Sequence, residues 1–366
     1  MCDWWVLRCA VQITNSQFKI KIKLQMESTT MVIYSVIFLA GTMGNGLVIY
    51  VTGCRMKKTV NSIWFLNLAL ADFLFTAFLL FTIISVSQEY QWHFGHFMCK
   101  LNNFVSVVNM FASVFLLMAI SLDRCLSIWV VVWAQNKRTT RKAQIITAVI
   151  WVAAVVCSIP YATFRDLQTM QGKTYCTYSK KTPKFILTTF RFVMGFLIPF
   201  LVICASYVAI GVRARRLNRT RTRRSQRIIF SIVLAFFMCW LPFHVFHFME
   251  LKIETNPELF EIVKTGGPIT LCLAFMNSCL NPILYVFMCD EFQRKLKQSI
   301  CLVLESALAE DRLSLMSSRS LSSHLSRISR KSESAAPTER KGTGTSLNFT
   351  ESKVLETGER ETLSTE

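Results

Sequence analysis

Asp72 is the one charged residue between Lys58 and Glu89, in a stretch otherwise apolar enough to cross a bilayer. A carboxylate at that depth costs about 2.5–3.5 kcal/mol on insertion scales, so its presence points to a role. Asn45, Ser113, Asn277 and Asn281 are polar groups of other apolar stretches that could meet it. An ionised carboxylate ringed by amide and hydroxyl oxygens, with no Lys or Arg nearby, suits a small hard cation. The same groups could equally form a neutral, hydrogen-bonded packing cluster. The residues alone leave both readings open.

Arg191 poses the complementary question. It follows Lys184 within another apolar stretch, and no acid neighbours it in sequence. A buried cation needs a partner, and a guanidinium pairs bidentately with a carboxylate, which a lysine cannot match. An anionic ligand is one reading; pairing with backbone carbonyls or snorkelling to the surface is the other. Asp123-Arg124-Cys125 closes a further apolar run, either as an interfacial ion pair or as a switch that releases Arg124 toward a partner. His244 and His247 follow Trp240 without a Cys or carboxylate to complete a zinc set, so they read as pocket lining. Of the thirteen cysteines, most lie in apolar runs and behave as small hydrophobes. Cys99 and Cys176 differ, since both fall at one face of the layout described next.

The elements that must position these groups are long and apolar. Runs without charge lie between Glu27 and Arg55, Lys100 and Asp123, Lys142 and Arg165, Arg191 and Arg213, Arg227 and Glu250, and Lys264 and Asp290, with the Asp72 stretch as the seventh. About 20 apolar residues of helix cross a ~30 Å hydrocarbon core. The fold class is therefore an all-α membrane protein, a bundle of seven crossing helices over 29–288. Hydrophobic residues make up 52% of the chain and charged ones 17%, outside the range of one soluble domain. A net charge of +19 would suggest nucleic acid in a soluble protein. Its placement says otherwise. Loops one, three and five hold Arg55, Lys57 and Lys58, then Lys137, Arg138, Arg141 and Lys142, then an arginine run over 213–227, with no acid among them. The acids Glu89, Asp166, Glu250, Glu254, Glu258 and Glu261 all belong to loops two, four and six. Lys/Arg excess marks the inner side, so the N-terminus is expected outside and the C-terminus inside, in a plasma-membrane, multi-pass chain.

Residues 1–28 are expected as an outer N-terminal segment; Asp3 and Arg8 break any signal-peptide run. Residues 289–304 read as a short amphipathic eighth helix on the inner leaflet. Its flanking Cys289 and Cys301 are equally suited to palmitoylation and to plain packing. Residues 305–366 are Ser-rich and basic, too polar to fold, and suited to phosphorylation. Pro160, Pro199, Pro242 and Pro282 put bends in four helices.

Gly44-Asn45-Gly46, Leu68-Ala69-Leu70-Ala71-Asp72, Asp123-Arg124-Cys125, Cys239-Trp240-Leu241-Pro242 and Asn281-Pro282-Ile283-Leu284-Tyr285 occur one per helix, in order. In that register the chain resembles the rhodopsin-like (class A) G-protein-coupled receptors. The resemblance implies a Cys99–Cys176 disulfide, a sodium pocket of Asp72, Ser113, Asn277 and Asn281, and a toggle of Phe236 and Trp240. It also implies that Asp123, Arg124, Tyr207 and Tyr285 serve the switch that admits a G protein. Cys125 stands where many members have Tyr, and Thr222 where an acid usually restrains Arg124.

Trp92-His93-Phe94-Gly95, Val132-Trp133-Ala134-Gln135-Asn136 and Asn277-Ser278-Cys279-Leu280 are similar to the chemoattractant receptors of the formyl-peptide, chemerin and prostaglandin D2 type-2 group. Gly53-Cys54-Arg55-Met56, Phe164-Arg165-Asp166 and Val303-Leu304-Glu305-Ser306 resemble the prostaglandin D2 type-2 receptor most. The resemblance implies a ligand carboxylate held by Arg165, Tyr178 and Arg191. Phe243 and Ser106 stand in the same site where that receptor has Tyr and Phe. The function expected is a receptor for an anionic lipid mediator, acting through inhibitory G proteins in chemotaxis. The alternative is a receptor for a carboxylate-bearing peptide of formyl-peptide or chemerin type. Arrestin and receptor kinases would act on the tail, no cofactor is expected beyond an allosteric sodium ion, and no nucleic acid. A transporter or channel is the remote alternative, against which Asp72 is nearly alone on any path. An opsin would need a lysine between Lys264 and Asp290, and an amine receptor an acid at Ser106; neither is present. No enzyme is expected, since the runs hold no clustered His and acids.

Overall fold

The computed structural model describes residues 2–217 and 222–288, with Arg294 and Gln298 beyond them, and side chains from Leu24 on. The expected eighth helix, both of its cysteines and the Ser-rich tail lie outside the described residues, as do the side chains of Tyr285, Thr222 and most of the arginine run. Helix α1 spans Cys2–Tyr50 and ends in a π turn, Val51–Arg55. It is followed by α2 (Val60–Ser87), α3 (Gly95–Trp129), the short α4 (Val131–Asn136) and α5 (Thr140–Thr163). Strands β1 (Arg165–Met170) and β2 (Lys173–Tyr178) come next. Then α6 (Lys184–Phe192) continues through a π turn, Val193–Leu197, into α7 (Ile198–Leu217), and α8 (Thr222–Glu250) and α9 (Leu259–Met288) complete the order.

Seven of these segments are long and apolar enough to cross a membrane, the fifth formed jointly by α6 and α7. The chain is a multi-pass membrane protein. Helix α1 runs unbroken from Cys2 into the first crossing. Two helix starts follow the rule that a hydroxyl satisfies orphan N–H groups. Thr59 and Ser62 form a reciprocal box at α2, and Thr139 accepts from Lys142 N at α5.

The apolar stripes point both ways. On α5, Val149, Val152 and Val156 are exposed at helical spacing, the face that hydrocarbon would cover. Helix α3 is the centre: 72% of its apolar window is buried, against 44% or less for the other crossings. Between helices, where lipid is as apolar as Leu, polar bonds and small residues do the joining. Asn45 Nδ2 donates to Ser278 O at 2.8 Å, joining α1 to α9, so Asn45 serves that seam and not Asp72. Gly44 lies beside Pro282; a Cβ there would stand 3.1 Å from the proline ring. Trp151 Nε1 donates to Asn67 Oδ1 at 3.0 Å, and Tyr161 Oη to Leu187 O at 2.7 Å, tying α5 to α2 and α6.

The fourth loop is an antiparallel hairpin. Gln171 and Gly172 both take positive φ, 51° and 76°, the geometry of a two-residue turn matched to strand twist. Leu167 faces Cys176 in the register. Cys176 is bonded to Cys99 near the start of α3, with Cα atoms 5.6 Å apart, as the resemblance implies. Trp92 N donates to Thr174 O at 2.8 Å, and Lys173 pairs with Glu89. That contact with Glu89 raises the Lys173 ammonium above its ordinary range. The hairpin is thus pinned at several points over one end of the bundle.

Candidate functional site

Beneath the hairpin lies a cavity of about 750 Å³, and all five residues expected to meet the ligand line it: Ser106, Arg165, Tyr178, Arg191 and Phe243. They come from three helices and the hairpin. Arg165 and Tyr178 are opposed residues of the hairpin. Arg165 Nε donates to Asn103 Oδ1 and its Nη1 to Cys176 O, each at 3.1 Å. Its guanidinium also lies over the Tyr178 ring, 4.1 Å from the centroid. Arg165 is therefore fixed by the protein itself, with N–H groups left over for a guest.

Arg191 is different. It is 9% exposed, on the inner face of α6 just before the π turn. Its guanidinium lies between the rings of Tyr161 and Phe243, at 5.1 and 5.2 Å from their centroids. Among the described residues its side chain makes no hydrogen bond and no ion pair. The cation–π contacts hold it in place without satisfying its N–H donors. Gly195 lets the π turn close on α3; a Cβ there would come within 2.9 Å of Met110, another cavity residue. Such turns recur where a helix re-aims a functional side chain.

The rest of the lining divides by chemistry. Ser106 Oγ donates to Asn102 O at 2.9 Å, and Asn102 Nδ2 to Thr82 Oγ1 at 3.1 Å, a neutral polar wall. Burial holds the Tyr90 phenol above its ordinary range, so it is a hydroxyl donor at the rim. His247 lines the cavity, its Nδ1 3.0 Å from Phe243 O, whereas His244 is buried behind it between Phe192 and Phe196. No group of three or more metal-ligating side chains occurs among the described residues. Sequence reasoning missed Asn103, Glu250 and Tyr161; their types are common in helices, and only the cavity singles out the first two and the Arg191 contact the third.

At the cavity floor stands Trp240, whose indole N–H finds no acceptor among the described residues. Its ring is 5.3 Å from Phe243, edge-on, and 5.9 Å from Phe236, tilted, so the expected toggle pair belongs to one chain of aromatic contacts running inward. Deeper still, Asn281 Nδ2 donates to Asp72 Oδ2 at 2.7 Å. Asn109, not foreseen, completes the cluster. With its amide nitrogen toward Asp72 it lies 3.1 Å from Oδ1 and 3.2 Å from Ser113 Oγ, and its oxygen accepts from Ser278 Oγ at 3.0 Å. Asn277 is buried on the same helix but is not among the residues hydrogen-bonded to Asp72. One carboxylate with hydroxyl and amide oxygens fits the donor chemistry of sodium, yet amide N–H groups engage both carboxylate oxygens.

At the bundle's other end, Asp123 does not pair with Arg124. Its carboxylate takes a bidentate pair from Arg138, Nε to Oδ1 and Nη2 to Oδ2, both at 2.8 Å. Arg124 and Arg138 share Asn61 Oδ1, Arg138 at 2.7 Å. Arg124 loses the neighbouring acid to Arg138, because the loop after α4 brings Arg138 in with a fork geometry that the adjacent residue on the same helix cannot reach. Tyr207 is half-buried near this cluster, its ring 5.5 Å from Phe230.

The family described as 7 transmembrane receptor (rhodopsin family) matches residues 44–285. This chain belongs to that family. As a receptor it is no enzyme, and it needs no cofactor. It is 42% identical over 300 residues to chemerin-like receptor 1 of Homo sapiens, covering 76% of this chain and 80% of that protein. It is 38% identical over 304 residues to prostaglandin D2 receptor 2 of Mus musculus, covering 78% of each. A C3a anaphylatoxin chemotactic receptor of Danio rerio is 38% identical over 292 residues. The receptor is thus of chemoattractant type, similar to both ligand classes named in advance, with somewhat higher identity to the chemerin-like receptor.

Proposed function

We propose that this receptor binds an anionic lipid mediator, prostaglandin D2-like, through a carboxylate that enters the hairpin-covered cavity. The observation that carries the reading is Arg191, a buried guanidinium held by two aromatic rings with no acid of its own among the described residues. An ionised guest supplies what the fold withholds, since an unpaired buried charge is costly. Arg165 and Tyr178 would close over the same carboxylate, while Phe243 and Ser106 face the rest of the ligand. A volume near 750 Å³ suits one drug-sized molecule.

Orientation follows from charge. The acid-free basic loops face inward and the disulfide-linked hairpin faces outward, where thiols are oxidised. The N-terminus is then outside, in the plasma membrane. Ligand pressing on Trp240 would bias the Phe236 and Asp72 levels below it, and Arg124, Tyr207 and Tyr285 would rearrange to admit an inhibitory G protein. Asp72, Ser113, Asn277 and Asn281 would hold a sodium ion in the resting state. Receptor kinases and arrestin would act on the Ser-rich tail.

The second reading is a peptide receptor whose guest brings a C-terminal carboxylate. It is favoured by the 42% identity to a chemerin-like receptor. Glu250 also lines the rim, where it could meet a peptide amine. Cells expressing the receptor, exposed in parallel to carboxylated lipids and carboxylate-terminated peptides with cyclic AMP as the readout, separate the two. A response to lipids alone supports the first reading, to peptides alone the second, and to neither contradicts both.

A further inference from the structure

Asn103 spans the gap between the two cations of the cavity. Its Oδ1 accepts from Arg165 Nε at 3.1 Å, and its Nδ2 donates to Tyr161 O at 3.1 Å. Tyr161 in turn is fully buried, donates through its hydroxyl to Leu187 O at 2.7 Å, and lies under Arg191. One amide on α3 therefore connects the hairpin, the end of α5 and, through Tyr161, the helix that carries Arg191. We propose that Asn103 is a positioning residue for anion recognition. It holds Arg165 over the cavity at a fixed distance from Arg191, so that the two guanidinium groups meet one carboxylate together. The inference rests on the reading that the cavity takes a carboxylate.

The physical case is one of donors and freedom. An arginine side chain carries about 2 kcal/mol of rotamer entropy, and the half-buried Arg165 would keep much of it without partners. The Asn103 bond, the Cys176 carbonyl and the Tyr178 ring together fix that guanidinium before any ligand arrives. Pre-organisation of this kind raises affinity by removing an ordering cost from binding. The disulfide holds the hairpin backbone, but it does not choose the side-chain direction; Cys176 O, Tyr178 and Asn103 do, and of these Asn103 alone comes from outside the hairpin.

The test is a double-mutant cycle of Asn103→Leu and Arg165→Gln, each alone and together. The probes are prostaglandin D2 and its uncharged amide, read by cyclic AMP. Amide hydrogen exchange of the Arg165–Tyr178 hairpin is measured in the purified, ligand-free full chain. Asn103→Leu should weaken the acid by about tenfold, the worth of one charge-assisted hydrogen bond, and leave the amide within about twofold. The double variant should lose no more than Arg165→Gln. Hairpin exchange should rise in both single variants, since each breaks the bond that ties Arg165 to α3. Asn103→Ser, too short to reach both partners, replaces leucine if that variant is not expressed. Equal weakening of acid and amide, additive losses, or unchanged exchange would overturn the proposal. Should the wild type ignore the prostaglandin, the ligand reading fails while the hairpin exchange still decides the role of Asn103.

Discussion

Asp72 and Asp123 are buried carboxylates solved in opposite ways. Asp123 has a bidentate arginine, whereas Asp72 has only neutral groups around it, two amides and the Ser278 hydroxyl. If a sodium ion shares the Asp72 cluster in the resting state, it must shift the balance toward that state. Agonist affinity should then fall as sodium replaces a larger cation such as choline, and Asp72→Asn should erase the dependence. Radioligand competition across a salt series measures it. Affinity indifferent to sodium in the wild type would favour the neutral cluster. At this scale the sequence was informative for groups whose burial is itself expensive. Asp72 and Arg191 announce themselves as charges inside apolar runs, and the structure brings Arg191 and its four expected neighbours to one cavity. Asn103 and Asn109 carry no such signal, and Arg138 reads only as one basic loop residue among several: a neutral amide in a helix, or a loop arginine among other bases, costs nothing until its partner is known.

Among the elements, α3 is the axis that every functional cluster touches. It contributes Asn103 and Ser106 to the cavity, Asn109 and Ser113 to the Asp72 level, and Asp123 to the inner clamp. The clamp also joins the start of α2, through Asn61, to the turn before α5, through Arg138. Removing one partner of a largely buried ion pair costs about 3–5 kcal/mol, because the other charge is left unpaired. Arg138→Gln should therefore lower the thermal unfolding midpoint of the solubilised receptor by several degrees. Adding Asp123→Asn should restore most of that loss. A single variant as stable as the wild type would mean the pair contributes nothing. The hairpin makes its own prediction. Cys99→Ser or Cys176→Ser should reduce surface expression and abolish ligand response, since the hairpin would lose its covalent anchor; normal affinity in either variant would contradict this. The crossings were legible because each needs about 20 apolar residues, a constraint written directly into composition. The hairpin was not, because a six-residue strand is a weak signal and only the turn at Gln171-Gly172 marks it.

For the molecule as a whole, the asymmetry of charge and the stacking of sites tell one story. A covered cavity with a cation that has no acid partner among the described residues lies at one end, and a basic face with Arg124 at the other. Between them run Trp240, Phe236 and the Asp72 cluster. The central claim is that a carboxylate reaching Arg191 at the first end is felt by an inhibitory G protein at the second. The most direct measurement is the cyclic AMP response to the carboxylated ligand found by the screen, in wild type and Arg191→Gln, each with and without pertussis toxin. Matched surface expression is required throughout. The account predicts a fall in cyclic AMP in wild type that the toxin removes, and at least about a tenfold loss of potency in Arg191→Gln. A toxin-resistant response, a rise in cyclic AMP, or unchanged potency without Arg191 would contradict it.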